Sequence, residues 1–301
     1  MQVSFIGLGV MGGPMAGHLA KNGHKVCGYN RTAARAERWA QTYKAQGVTT
    51  AKTPADASQG AQIVMVCVGD DDDVRKVVYG ADGSPQAPAA DGILAQLAQG
   101  AILIDHTTAS ASLAKELDAV CKARKIDFID APVSGGQSGA ENGVLTVMAG
   151  GTPQVFARTQ EVVASYAKSY ALLGPVGAGQ LTKMVNQICI AGVVQGLSEA
   201  IHFGQKAGLD IDKVLAIIAG GAAQSWQMEN RGKTMARDEF DFGFAVDWMR
   251  KDLRIILTQA RQTGASLPMT AAVDQFYAAI QARGGGRWDT SSLIRLLNKT
   301  P

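Results

Sequence analysis

The sequence predicts an α/β domain built on a doubly wound parallel sheet, followed by an all-helical domain joined to it by a long interdomain helix. Three observations carry this expectation. Short runs that are apolar throughout, such as Ile63–Val68, recur in the first half with helical stretches between them. Strands covered on both faces by helices need that pattern. Strand signals vanish after the breaker cluster Gly174-Pro175-Val176-Gly177-Ala178-Gly179, and helical periodicity takes over. The 301-residue length suits two domains, 1–175 and 176–301.

Taken in order, Gln2–Gly7 reads as a strand, Met11–Asn22 as a helix, Lys25–Tyr29 as a strand and Ala33–Ala45 as a helix. Ile63–Val68, Ala101–Asp105, Ile126–Asp130 and Thr146–Ala149 read as further strands, linked by right-handed crossovers. Ala81–Gly92, rich in Gly, Pro, Ala and Asp, reads as a surface loop. A long helix runs from about Gln180 to Gly208 and would extend about 40 Å. Shorter helical runs follow near Asp212–Ala219, Met228–Arg237, Ala245–Thr263, Met269–Arg283 and Ser291–Leu297.

Composition removes several function classes. A net charge of +3 is too small for a nucleic-acid-binding face. No apolar run reads as long enough to span a bilayer, and the N-terminus lacks the features of a signal peptide. A cytoplasmic location without a membrane partner is therefore expected. Cys27, Cys67, Cys121 and Cys189 are far apart and read as reduced, mostly buried thiols. His18, His24, His106 and His202 form no spaced pair, so no metal is expected.

Gly7-Leu8-Gly9-Val10-Met11-Gly12 follows the first strand and opens a helix, the context that gives a Gly-x-Gly-x-x-Gly pattern its meaning. It points to a Rossmann-type dinucleotide site. Gly7 permits the turn, Gly9 lets a pyrophosphate approach, and Gly12 lets the helix pack on the sheet. The helix N-terminus then faces the phosphates. At the end of the second strand, Tyr29-Asn30-Arg31-Thr32 lacks the acid that would bind the ribose 2′-hydroxyl of NAD. Arg31, helped by Thr32, suits a 2′-phosphate, so NADP(H) is preferred over NAD(H). Backbone at Val68 and Gly69 is expected to pass the adenosine half, with Asp73 in the same cofactor set. The acidic run Asp70–Asp73 is otherwise read as solvated.

Ser134-Gly135-Gly136 follows a strand end, where backbone N–H groups and a hydroxyl make a cradle for a carboxylate. That segment lies within a set of motifs that resembles the β-hydroxyacid dehydrogenase family. The set comprises Ile6–Gly12 with Pro14-Met15, Asp130-Ala131-Pro132-Val133-Ser134-Gly135-Gly136, Gly139-Ala140, Gly143, Leu145-Thr146, Gly177-Ala178-Gly179-Gln180-Leu181-Thr182-Lys183-Met184-Val185-Asn186 and Lys251-Asp252-Leu253. The family includes 3-hydroxyisobutyrate dehydrogenases and tartronate semialdehyde, succinic semialdehyde and glyoxylate reductases. The resemblance implies that Ser134, Gly135 and Gly136 hold the substrate acid group. It implies that Lys183 is the general acid and base, and that Asn186 positions substrate and lysine. It places Thr108 and Lys251 near the nicotinamide side of the cofactor, and it implies a homodimer or homotetramer. A lysine of lowered pKa can take the hydroxyl proton during oxidation and return it during reduction.

Trp226, Phe240, Phe242, Phe244 and Trp248 are candidates for pocket shape but read more readily as core or interface. The substrate stays open among 3-hydroxyisobutyrate, tartronate semialdehyde, succinic semialdehyde, glyoxylate and L-serine. Imine reductases on similar folds usually carry an acid or tyrosine at the lysine position, and phosphogluconate dehydrogenases have a much larger helical domain. A cofactor-binding regulator without chemistry would usually lose the lysine or the glycine cradle. Both are present here.

Overall fold

The computed structural model describes Met1–Asn298. Its first part alternates as expected: β1 (Gln2–Ile6), α1 (Gly12–Lys21), β2 (Lys25–Tyr29), α2 (Ala33–Thr42), β3 (Thr49–Thr50), α3 (Pro54–Ser58), β4 (Ile63–Val66), α4 (Asp71–Tyr79), β5 (Ile102–Asp105), α5 (Ala111–Ala123) and β6 (Asp127–Asp130). These six strands form one sheet in the order β3-β2-β1-β4-β5-β6, and every pairing in it is parallel. The order reverses between β1 and β4, which makes that point the place where such sheets bind ligands. Neighbouring residues along a strand serve opposite faces. Phe5 and Met65 join Leu19, Trp39 and Ile104 on one side, while Ile6 and Val66 join Val78, Leu103 and Leu117 on the other.

The run Thr146–Ala149 is a strand, but it does not extend this sheet. It belongs to β8 (Leu145–Ala149), which pairs with β7 (Val133–Ser134) and β9 (Ala167–Leu172) in a separate three-stranded sheet. β7 runs antiparallel to β8, and β9 runs parallel to it. Helices α6 (Gly136–Glu141) and α7 (Pro153–Val163) fill the connections. Apolar content identified β8 as buried, yet the identity of its neighbours is a tertiary property.

The acidic run also differs from expectation, because only Asp72 within it is fully exposed. The Asp70 carboxylate caps α4 by accepting from the Asp73 backbone N–H at 3.0 Å. Asp71 accepts from the Ser110 backbone N–H and hydroxyl at 2.9 and 2.5 Å. Acids at a helix N-terminus offset its partial positive charge.

The chain packs as two compact units, Met1–Lys183 and Met184 onward. The division falls inside α8 (Ala178–Lys206), which is followed by α9 (Ile211–Ile218), α10 (Trp226–Ala236), α11 (Val246–Thr263) and α12 (Pro268–Ala282). The last helical run is a tighter 3₁₀ segment, Thr290–Leu296. No strand occurs among the described residues of the second unit. Its core joins Ala191 and Val194 of α8 to Val246, Met249 and Leu253 of α11 and to Val273, Tyr277 and Ile280 of α12. Phe240 is buried in a second cluster with Ile201, Leu215 and Met235, whereas Trp226, Phe242 and Trp248 are partly exposed. Arg231 stacks between the Trp226 and Phe242 rings, 4.9 Å from each centroid.

Two expectations need correction. α8 is long and apolar enough, by length and composition alone, to cross a membrane. A core helix meets the same criterion, and its Ala191, Val194, Leu197 and Ile201 are buried among apolar neighbours. Of the cysteines, Cys121 is buried, Cys27 and Cys67 are half-buried, and Cys189 is exposed. Cys189 lies on the outward side of a helix whose apolar composition suggested burial.

Candidate active site

The glycine loop occupies the turn from β1 to α1, at the point where strand order reverses. Gly7 has φ +102°, and a Cβ there would strike the Cys67 carbonyl; a Cβ on Gly12 would strike the Gly7 carbonyl and the Phe5 ring. A Cβ on Gly9 would meet nothing within 4 Å. Two glycines are therefore required by close packing, and the third borders open space. Leu8 sends its side chain into the core, Val10 is exposed, and Met11 precedes α1 without a side-chain cap for the helix N–H groups. Uncapped N–H groups beside open space suit an anionic ligand.

Asn30 follows β2 and braces this loop: its Oδ1 accepts from the Leu8 N–H at 3.1 Å, and its Nδ2 donates to the Thr32 carbonyl at 3.1 Å. Arg31 is 80% exposed and pairs with Asp73 at 3.1 Å. Thr32 precedes α2 and makes no side-chain cap. The Arg31–Asp73 pair thus joins the loop after β2 to the first turn of α4.

The loops after β4 and β5 are tied to each other. The Val68 N–H donates to the Thr107 hydroxyl at 3.1 Å, and the Thr107 N–H donates to Asp105 at 2.9 Å. Gly69 is half-buried beside Val68. Gln180, in the first turn of α8, donates to the Thr107 carbonyl at 2.8 Å and accepts from the Ala109 N–H at 3.0 Å. Thr108 lies between these two contacts and is partly exposed. Asp130, at the end of β6, accepts from the N–H groups of Gly177 and Gln180 at 2.7 and 2.8 Å.

Beneath these loops lie buried titratable groups. Burial pushes Asp105 up to about 7 against the pull of its Thr107 hydrogen bonds. Burial pushes Asp130 up to about 6, opposed by the backbone N–H groups at the start of α8. His106 is driven down to about 4 by burial, against its bond to the Ala131 carbonyl. Its other ring nitrogen meets the Tyr166 hydroxyl at 2.8 Å. A neutral imidazole suits this site, because one nitrogen donates and the other accepts.

Ser134 is half-buried at the end of β7, and Gly135 and Gly136 follow with φ +129° and +62°. Both glycines are exposed, and a Cβ on Gly136 would meet nothing within 4 Å. Lys183 sits in the second turn of α8 and is only 7% exposed.

In the second unit, a relay through two buried side chains links two expected site residues. Asn186 Nδ2 donates to Gln187 Oε1 at 2.8 Å, and Gln187 Nε2 donates to Asp252 Oδ2 at 2.7 Å. The other Asp252 oxygen lies 2.8 Å from Lys251 Nζ. Asn186 and Lys251 are thereby joined through Gln187 and Asp252, neither of which was assigned a role from sequence. The signals were present: Gln187 is four residues after Lys183 and therefore on the same helix face, and Asp252 adjoins Lys251. Asp130 and Gln180 were quoted as motif residues without a role. No cluster of three or more metal-ligating side chains occurs among the described residues.

Comparison with known proteins agrees with this arrangement. Residues 2–174 match the family described as the NAD binding domain of 6-phosphogluconate dehydrogenase. Residues 177–297 match the one described as the NAD-binding of NADP-dependent 3-hydroxyisobutyrate dehydrogenase. An oxidoreductase of Shewanella frigidimarina is 58% identical over 99% of both chains. The 2-hydroxy-3-oxopropionate reductase of Escherichia coli is 32% identical over 99% of this chain and 97% of its own. The structure of Mycobacterium tuberculosis 3-hydroxyisobutyrate dehydrogenase with L-serine aligns with a TM-score of 0.84, at 27% identity and 99% coverage of each chain. The chain therefore belongs to the 3-hydroxyisobutyrate dehydrogenase-type hydroxyacid dehydrogenases, oxidoreductases that bind a nicotinamide dinucleotide.

Proposed function

We propose that this protein transfers a hydride between NADP(H) and a small β-hydroxy acid or its semialdehyde, with Lys183 as the general acid and base. The carrying observation is the near-complete burial of Lys183, on a helix whose first turn is bonded to the loop after β5 and the end of β6. Lysine is rarely buried this far unless it is paired or its task repays the lost solvation, and a buried lysine is suited to moving a proton.

Bound NADP(H) supplies the hydride. The open space over Gly9 and the uncapped start of α1 fit its pyrophosphate, within the loop Gly7-Leu8-Gly9-Val10-Met11-Gly12. Asn30 shapes that loop, and Arg31 and Thr32 face the 2′-phosphate. Val68, Gly69 and Asp73 border the adenosine half, with Asp73 holding Arg31 until a 2′-phosphate takes its place. Thr108 and Lys251 serve the nicotinamide side. Ser134, Gly135 and Gly136 hold the substrate carboxylate, and Asn186 orients the substrate oxygen. In reduction, Lys183 Nζ gives its proton to that oxygen; in oxidation it takes the proton back. The lack of an acid at the end of β2 favours NADP(H), and the name of the family matching the second half agrees. An NADP(H) preference in turn favours the reductive direction. We place the protein in the cytoplasm as a homodimer or homotetramer, with exposed Val185, Phe203 and Ile217 available for assembly.

The test is oxidation of NADPH and NADH against 2-hydroxy-3-oxopropionate, methylmalonate semialdehyde, succinic semialdehyde and glyoxylate, with the matching hydroxy acids in the reverse direction. Lys183→Ala is expected to lower turnover by about 100-fold or more, within the range for general acid–base catalysis, while NADPH affinity holds. Equal turnover in variant and parent would remove Lys183 from the mechanism.

A further inference from the structure

We infer that Gln180 and Asp130 are positioning residues that set the proton-transferring lysine by fixing the first turn of its helix to the loop carrying Thr108 and to the strand leading into Ser134. The inference rests on the reading of Lys183 as general acid and base.

Both side chains are buried, Gln180 at 1% and Asp130 at 0% exposure. The Gln180 carboxamide makes two bonds to one loop, donating to the Thr107 carbonyl at 2.8 Å and accepting from the Ala109 N–H at 3.0 Å. These contacts flank Thr108. A neutral carboxamide provides donor and acceptor together at every working pH, whereas an ionised carboxylate accepts only. Neither bond caps α8, so neither is needed to start the helix. Their effect is to hold the loop and the helix in one register.

Asp130 supplies the second anchor. One carboxylate oxygen accepts from the Gly177 N–H at 2.7 Å and the other from the Gln180 N–H at 2.8 Å. Its own backbone is clamped by two bonds with Gly150, at 3.1 and 2.7 Å. The next residue, Ala131, offers its carbonyl to buried His106 at 2.6 Å. Asp130 therefore cannot shift without moving the segment that reaches Ser134 four residues later. Substituting Gly179 would force this joint apart, because a Cβ there would press on the Met148 and Asp130 carbonyls.

Lys183 follows Gln180 by three residues, about one helical turn. The proton donor is thus attached to the two anchors by a single turn of regular helix. A misplacement of about 1 Å at a reacting group can cost about 100-fold in rate. Two anchors on one turn give the lysine that accuracy through the helix backbone.

The experiment compares the full-length parent with Gln180→Leu, Gln180→Glu, Asp130→Asn and Lys183→Ala. The probe is NADPH with the best aldehyde acid from the substrate panel. Three quantities are read: NADPH Kd, KM, and the single-turnover rate constant for hydride transfer. Gln180→Leu is expected to slow that rate constant about 10- to 100-fold and to leave NADPH Kd within about 3-fold. Asp130→Asn keeps one acceptor oxygen and is expected to fall between Gln180→Leu and the parent. A purely structural role would shrink the amplitude of the single turnover, by lowering the folded fraction, with the rate constant unchanged. That result, or parental rates in both Gln180→Leu and Asp130→Asn, would overturn the inference. Should Gln180→Leu fail to fold, Gln180→Glu and Asp130→Asn carry the same test. Full activity in Lys183→Ala would overturn the reading of the lysine itself. An inactive Lys183→Ala beside parental Gln180 and Asp130 variants would overturn the positioning role alone.

Discussion

Arg31→Ala is expected to weaken NADPH about 5- to 30-fold and to leave NADH unchanged. The magnitude follows from the setting of Arg31. Its side chain is 80% exposed and pairs with Asp73 at 3.1 Å. A hydrogen bond to a charged group contributes about 1.5–3 kcal/mol, and an exposed ion pair about 0.2–1 kcal/mol. Turning the guanidinium toward a 2′-phosphate gains the first and stretches or gives up the second. The difference is about 1–2 kcal/mol, and about 1.4 kcal/mol corresponds to tenfold in affinity. Asp73→Asn removes the competing carboxylate, so NADPH is expected to tighten by up to about 5-fold. Added salt shrinks both effects, because the Debye length falls from about 10 Å at 0.1 M to about 3 Å at 1 M. The assay is fluorescence titration of both cofactors at low and high salt. Equal losses for NADPH and NADH would show that the change disturbs the glycine loop rather than phosphate recognition. An unchanged NADPH Kd would refute the assignment outright.

Asp252→Asn is expected to destabilise the fold by about 1.5–3 kcal/mol, because it weakens the charge-assisted bonds that buried Asp252 makes to Gln187 and Lys251; an unshifted urea midpoint would contradict this. Asp105 makes a pH-dependent contribution. Its folded pKa of about 7 exceeds the ordinary carboxylate value, so the folded chain holds a proton that the unfolded chain releases. That contribution is fullest below about pH 4 and is lost as pH rises to about 7. Asp105→Asn is therefore expected to gain stability relative to the parent across this window, by up to about 4 kcal/mol, and to level off above it. A constant difference in unfolding free energy between pH 4 and pH 8 would sink that expectation.

The parts of this protein that depend on short-range order were legible in the sequence. The run Ile63–Val66 is apolar throughout because both faces of β4 are covered, and both faces are indeed buried. The Gly7–Gly12 loop was legible because close packing demands glycine at its two ends. Strand β9 escaped notice because Lys168 and Ser169 face solvent in its middle, breaking the apolar signal. β3 and β7 escaped because each has only two residues. Lys183 and Ser134 carry roles through their motifs, whereas Asp130 and Gln180, in the same motifs, gain theirs only from their contacts.

The sequence by itself determined the alternation of strands and helices, the dinucleotide loop and the family, since each rests on residue types at fixed local spacing. Only the tertiary structure decided that Thr146–Ala149 leaves the main sheet, that Asp73 pairs with Arg31, and that Gln180 and Asp130 anchor α8. The physical reason is separation along the chain. Gln180 lies 73 residues from Thr107 and 50 from Asp130, so those hydrogen bonds arise only once the strands are aligned.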